Sequence, residues 1–409
     1  MSQSKPLSGY RVVELATFMA APSCGRLLAD WGADVIKVEA GVGDPFRYFG
    51  PTMMMPAKES EAPGWELNNA NKRGIVLDLK SGEGQEAFHK LLTTADVFLT
   101  NNRPEALKKL GLDYENIKGK YPKLIHAVVT GFGEKGPDVD LPGFDVVAFW
   151  ARSGFLADLV KPDEYPVYTP AGFGDLTVGS TLFGGICAAL LNRAKSGKGD
   201  RISVSLFGAS IWYSGLMITS AQERYGNVFP KARFNGNPLA IPYRAKDGEW
   251  IMLSIIEHDR YWGAFCKAIN REELISDPRF DTREHMMENK PELIKTLEEV
   301  FSAKLSAEWI KILQAADIVH DKLRHIKDVS KDEQAWANDY LYNFTFPNGE
   351  QGILPAPPIK SAEIGESPRQ RGPFLGEHTK EILEELGYSA EQIEQLKANK
   401  NIKIHPSKA

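Results

Sequence analysis

The chain has 409 residues, 43% apolar and 25% charged, and its 49 Lys and Arg against 54 Asp and Glu give a formal net charge of −5. That length exceeds what one hydrophobic core usually serves, so two domains are expected. The mild acidity removes the electrostatic basis for binding nucleic acid or an anionic membrane, so an anionic ligand would need a local basic pocket.

In chain order, the first 135 residues alternate strand-like and helix-like segments. YRVVEL (Tyr10 to Leu15) reads as a buried strand, PSCGRLLADWG as a helix with Pro22 in its first turn, and ADVIKVE as a second strand. RGIVLDL (Arg73 to Leu79), DVFLT (Asp96 to Thr100) and LIHAVVTGFG (Leu124 to Gly133) are three more, separated by the helical patterns GQEAFHKLLTTA and PEALKKLG. Such alternation predicts βαβ units and a mainly parallel sheet, with ligands bound beyond the carboxyl ends of its strands. From Asp175 to Ala194 a long apolar helix is expected, followed by RISVSLFGASIWYSGLM, strand-like and then helical. Glu223 to Ala240 reads as a linker, AIPYRAKDGEWIMLSI as a hairpin turning at Asp247–Gly248, and several helices run to about residue 340. A smaller α+β domain is placed near 230–340, with the closing segment returning to the first domain.

Cys24, Cys187 and Cys266 lie far apart and form neither a disulfide framework nor a zinc motif. The amino terminus lacks an apolar signal core, and no run approaches the ~18 uninterrupted apolar residues of a membrane span. A soluble, cytoplasmic protein is expected. The histidines do not cluster, and His320 and His325 are spaced i, i+5, so no metal is assigned. The first strand is not followed by GxGxxG, and neither a P-loop nor a GxSxG elbow occurs.

Four stretches can carry chemistry. Asp175, in GFGDLTVG, is either a helix cap or a nucleophile kept ionised by the helix amino terminus, with Gly172 and Gly174 leaving room for a ligand. The basic run around Lys72, Arg73 and Lys80 is either a solvated face or a phosphate pocket. Asn101, Asn102 and Arg103 stand in a strand-end loop, and Arg103 is a stronger ligand candidate than Lys108 or Lys109. Gly131 to Gly154, rich in Gly and Pro, reads as a long ordered loop or as a plain connection.

An ordered set of segments spanning the chain resembles the family III CoA-transferases, the group that includes formyl-CoA transferase and carnitine CoA-transferase. They are LSGYRVVELATFMAAPSCGRLLADWGADVIKVEAGVGDPFR, NANKRGIVLDLK, VVTGFGEKGP, GFGDLTVG, AKSGKGDRISVSL and RGPFLGEHTKEILEELGY. The resemblance implies an α/β fold: a large Rossmann-like domain with a mainly parallel sheet plus a smaller α+β domain, in an interlocked-ring homodimer. The division becomes 1–225 for the first part of the large domain, 226–340 for the small domain with its linkers, and 341–409 for the return.

It also implies Asp175 as the catalytic aspartate, forming an aspartyl-CoA thioester, with backbone amides near Gly172 to Asp175 as oxyanion donors. No permanently bound cofactor is implied; CoA thioesters and a carboxylic acid are the substrates. The positions matching the family's CoA contacts are Met19 and Ala20, then Leu77, Asp78, Leu79 and Lys80, then Asn101, Asn102 and Arg103. Lys109 stands where arginine is usual, and Leu141, Pro142, Gly143 and Phe144 lie beside the thioester. Two departures are Ala40, where a basic residue often follows the second strand, and NGNPLA in place of a glycine-rich loop.

Within the family, LPGFDVVAFWARSG and DEQAWANDYLY resemble clostridial enzymes of amino-acid fermentation. Those enzymes move CoA from a 2-enoyl-CoA to an (R)-2-hydroxy acid of the phenyllactate or 2-hydroxyisocaproate type. A separate 2-hydroxyacyl-CoA dehydratase would consume the product. Phe149, Trp150 and Phe155 are candidates for an apolar acyl pocket or for ordinary core. Alternatives are transfer to another carboxylic acid, a non-catalytic CoA-binding protein, and an α-methylacyl-CoA racemase. The last is disfavoured because Phe144 stands where racemases carry the proton-moving histidine.

Overall fold

The structure, a computed structural model, describes residues 5–161, 164–230, 232–362 and 369–406. The chain divides into two compact units, one of Met1–Ala157, Pro166–Gly226 and Trp336–Ala409, the other of Asp158–Tyr165 and Asn227–Ala335.

The first unit is built on a seven-stranded sheet. Runs of Val, Ile and Leu, buried on both faces, form five parallel strands: β1 (Arg11–Leu15), β2 (Asp34–Glu39), β3 (Arg73–Leu77), β4 (Val97–Thr100) and β5 (Ile125–Thr130). β6 (Arg201–Ser205) continues them in parallel beside β5. Successive side chains point to opposite faces, so Val12 and Val13 enter different cores. One core holds helix α1 (Ala20–Asp30) and the long helix Phe173–Ser196. The other holds α3 (Gly82–Thr93), capped by Ser81, whose hydroxyl accepts the Gly84 amide at 3.0 Å, and the closing helices Thr379–Glu385 and Ala390–Ala398. Helix α2 (Pro63–Asn69) precedes β3 and α4 (Pro104–Lys109) follows β4, each opening on a proline whose missing N–H costs nothing there.

The closing segment completes this sheet: Ile402–Lys403 pairs antiparallel with β3 at the edge. The strand order is therefore 402–403, β3, β2, β1, β4, β5, β6. The order reverses between β1 and β4, and a crevice opens where the loops after these two strands diverge.

The second unit carries a three-stranded antiparallel sheet of β7 (Pro242–Arg244), β8 (Trp250–Leu253) and β9 (His320–Lys322). The β7–β8 turn falls where Asp247–Gly248 predicts it; Gly248 adopts φ 85°, and the Asp247 carboxylate accepts the Ser306 hydroxyl at 2.7 Å. Tyr243, Phe301 and Trp309 stack at its centre.

The helix Phe173–Ser196 is long and apolar enough, by length and mean hydropathy, to cross a membrane, a property that the count of uninterrupted apolar residues misses. Gly, Ser and Thr interrupt its apolar run, and one face packs along α1, where a Cβ at Gly179 would collide with Ser23.

Candidate active site

Asp175 is the third residue of this helix, and Gly172, at φ 70°, is the residue that caps it. The cap expectation is thus corrected: Asp175 sits within the first turn, where the four amides without intrahelical partners still favour an anion. A Cβ on Gly172 would collide with the Met19 thioether, and one on Gly174 with Asp145 Oδ1 and the Phe149 ring. These glycines therefore let the protein pack on itself, rather than leaving room for a ligand as expected.

Asp175 opens into a cavity of about 370 Å³ at the reversal point of the sheet. Thr17 and Phe18 come from the loop after β1 and Ala20 from the start of α1, Asn101 to Arg103 from the loop after β4 and Pro104 from the start of α4, and Thr130 from the end of β5, with Gly131 and Leu141 to Phe144 beyond it. Three local devices shape it. The Asn101 side chain accepts the Thr17 amide at 3.0 Å and donates to the Thr17 carbonyl at 2.7 Å, tying two loops together. Phe18 adopts φ 62°, held by its amide donating to Asp44 Oδ1 at 3.1 Å. Gly131 and Gly143 cross backbone to backbone, and a Cβ on either would meet the other's Cα below 3 Å. Among the described lining residues, Asp175 is the one carboxylate and Arg103 the one cation; Arg103 is exposed and pairs with no carboxylate.

Burial pushes Asp175 up to about 7, and the nearby Asp145 carboxylate adds to the shift, so the helix terminus does not keep it fully ionised at neutrality as expected. Asp145 opens the π-helical segment Asp145–Ala151, is 6% exposed, and is pushed up to about 6 by burial. The amides of Gly174 and Gly172 face it and pull the other way, although neither closes a full hydrogen bond. Two of the amides expected to serve as oxyanion donors thus face Asp145.

Of the residues expected to contact CoA, Ala20, Asn101, Asn102, Arg103, Leu141, Pro142, Gly143 and Phe144 line this cavity with Asp175. Met19 instead lies under Gly172 and lines a second, apolar cavity of about 210 Å³. Leu77 is a core residue of β3, Asp78 accepts the Lys80 amide at 3.0 Å, and Leu79 packs on the core. Lys80 and Lys109 are exposed. None of these five lines the cavity.

The basic run is neither a solvated face nor a phosphate pocket at its first two positions. Lys72 is buried and donates to Glu14 Oε2 at 2.7 Å and the Pro22 carbonyl at 2.8 Å, and Glu14 also pairs with buried Lys37. Arg73 pairs with Asp34 and Glu385. Charges that must leave water recruit opposite partners, and these cations are consumed that way.

Phe149 and Trp150 are core residues, and with Phe155 and Phe173 they form an aromatic cluster beneath the Asp175 turn rather than a pocket wall. The apolar cavity missed in the sequence is lined by Phe46, Phe49, Met53, Met55, Trp65 and Leu67, together with Met19 and Ala171. Its one legible signal was the Met-rich run Met53 to Met55. No group of three His, Cys, Asp or Glu able to hold a metal occurs among the described residues.

Residues 7–379 match the family model described as CoA-transferase family III. The chain is 44% identical to (R)-2-hydroxy-4-methylpentanoate CoA-transferase of Clostridioides difficile, covering 97% of this chain and 99% of that one. It is 40% identical to cinnamoyl-CoA:phenyllactate CoA-transferase of Clostridium sporogenes, covering 98% of each. The crystal structure of a CAIB/BAIF family protein from Brucella suis superposes with a TM-score of 0.78 at 29% identity, over 94% of this chain and all of that one.

Proposed function

Because the chain belongs to CoA-transferase family III, we propose that it moves CoA from a 2-enoyl-CoA to an (R)-2-hydroxy acid through an aspartyl-CoA thioester on Asp175. One observation carries the reading: among the described residues lining a cavity at the strand-order reversal, Asp175 is the one carboxylate and Arg103 the one cation. The names of the two clostridial relatives supply the substrate class, a 2-hydroxy acid with a branched aliphatic or aromatic side chain.

The ionised Asp175 carboxylate attacks the thioester carbonyl, a C–O bond forms, and CoA leaves as thiolate. The thiolate attacks the aspartyl carbonyl of this mixed anhydride, releasing the donor acid and leaving CoA on Asp175. The incoming hydroxy acid reverses both steps. Thioester energy is conserved throughout, so the chemistry draws on positioning and on a nucleophile partly freed of water. Arg103 meets the CoA phosphates, Ala20, Asn102 and Leu141 to Phe144 flank the thioester arm, and Asn101 holds the β1 loop in place. The acyl side chain enters the Met- and aromatic-lined cavity beside Met19 and Ala171, whose lining suits either side-chain type.

The enzyme acts in the cytoplasm as a homodimer; the dimer is supported by Trp212 and Leu216, 79% and 89% exposed on the helices Leu206–Tyr213 and Gly215–Ser220. A 2-hydroxyacyl-CoA dehydratase takes the product. The test is CoA exchange followed by mass spectrometry, with cinnamoyl-CoA and 4-methylpent-2-enoyl-CoA as donors and phenyllactate and 2-hydroxyisocaproate as competing acceptors. Formation of one 2-hydroxyacyl-CoA in preference establishes reaction and side-chain class; formation of neither sinks the 2-hydroxy acid reading.

A further inference from the structure

Asp145 is the one buried carboxylate near the Asp175 turn that no ion pair explains among the described residues. It stands on a different element from Asp175, and its Oδ1 occupies the space that a Cβ of Gly174 would need. Both its oxygens are buried without a closed hydrogen bond, facing the amides of Gly172 and Gly174. A carboxylate kept in such a place costs stability unless the turn needs it.

We propose that Asp145 is the positioning residue of the nucleophile: it holds the Gly172–Gly174 turn and sets a second negative charge beside Asp175, so that acylation of Asp175 relieves a like-charge repulsion. This rests on Asp175 being the acyl acceptor. When the Asp175 carboxylate attacks, a C–O bond forms, the C–S bond breaks, and the electron pair leaves on the CoA sulfur. The negative charge departs from the aspartate, whose anhydride and thioester forms are both neutral. Asp145 therefore raises the free carboxylate relative to each covalent form, which favours attack and disfavours resting enzyme. Burial is the larger cause of the displacement of Asp175 to about 7, and the Asp145 charge adds to it in the same direction.

The surroundings leave few other agents. From α1, Ser23 directs its hydroxyl toward the Asp175 carbonyl at 3.5 Å, and the buried Cys24 lies toward Glu14 and Lys72. From the loop after β4, Arg103 lines the cavity. From the π-helical segment, Asp145 is the charged group that acts on Asp175.

The Asp145→Asn variant keeps shape and removes charge. Its acid limb in kcat/KM is expected to move to lower pH, and the fraction of enzyme trapped as CoA adduct to fall several-fold at equal acyl-CoA. An acid limb left in place, with only a lower Tm, overturns the proposal as a purely structural role. Independently of any variant, 13C NMR of the parent labelled at aspartate carboxyls should show each of the two signals titrating in two steps, as coupled groups do. Two unrelated single-step curves overturn the coupling. That titration needs no turnover: coupled carboxyls in an inactive protein sink the transfer reading and leave only the coupling standing, and uncoupled ones in an active enzyme sink this inference alone.

Discussion

At Asp175, the residue proposed as nucleophile, burial acts on the charge of one side chain. Its carboxyl is held near 7 against an ordinary 3.8, so the folded chain binds more protons there than the unfolded chain between about pH 4 and 7. Stability from this group thus falls as pH rises through that window. Asp175→Asn removes the loss, so its Tm should exceed the parent's by a few degrees above pH 7 and match it near pH 4, read by calorimetry. The same variant, and Asp175→Ala, should lower CoA exchange by at least about three orders of magnitude while the protein stays folded. Full activity in a rigorously purified Asp175→Ala enzyme would remove the nucleophile from the mechanism. Arg103→Ala, which loses a charge-assisted phosphate contact, should raise KM for the acyl-CoA by about tenfold or more with kcat little changed. An unchanged KM would place the CoA phosphates elsewhere.

Elements converge on the site through close backbone approach and buried charge, and both are vulnerable to single substitutions. Gly131→Ala pushes two loops apart where their Cα atoms leave no room for a methyl. Its expected outcome is a kcat/KM loss of at least about tenfold, since small displacements at a reacting centre are costly. Lys72→Met should act differently. It strips one of two cations from Glu14 in a dry environment, and because Lys37 remains the cost should fall at or below the low end of the about 3–5 kcal/mol typical of breaking a buried pair on one side. Urea unfolding should show that loss while KM for acyl-CoA holds. A raised KM with unchanged stability would return Lys72 to the ligand.

For the whole molecule, the proposed homodimer makes a demand on the surface of the first unit. Trp212 and Leu216 stand in water on neighbouring helices, an arrangement that a monomer has little reason to keep. Light scattering on the parent should give twice the chain mass. Trp212→Glu combined with Leu216→Glu should shift it toward monomer and depress activity together. A parent that runs as a monomer at assay concentration would remove the dimer from the mechanism.

The βαβ alternation of the first 135 residues was readable in the sequence because a parallel sheet buried on both faces needs apolar runs of strand length separated by amphipathic helices. Asp175 was readable for a related reason, since one acid between glycines at the head of an apolar helix is conspicuous. The sequence alone could not say where the cations of NANKRG point. That depends on Glu14 and Asp34, which the fold brings in from strands many residues away. Nor could it separate Phe149 and Trp150 as core from Phe46, Met55 and Trp65 as cavity wall, because aromatic and sulfur side chains serve either purpose and only packing chooses. The pairing of Asp145 with Asp175 was hidden likewise. Thirty residues part them in sequence, and only the tertiary structure brings Asp145 against the turn that carries Asp175, where its charge adds to the effect of burial on Asp175.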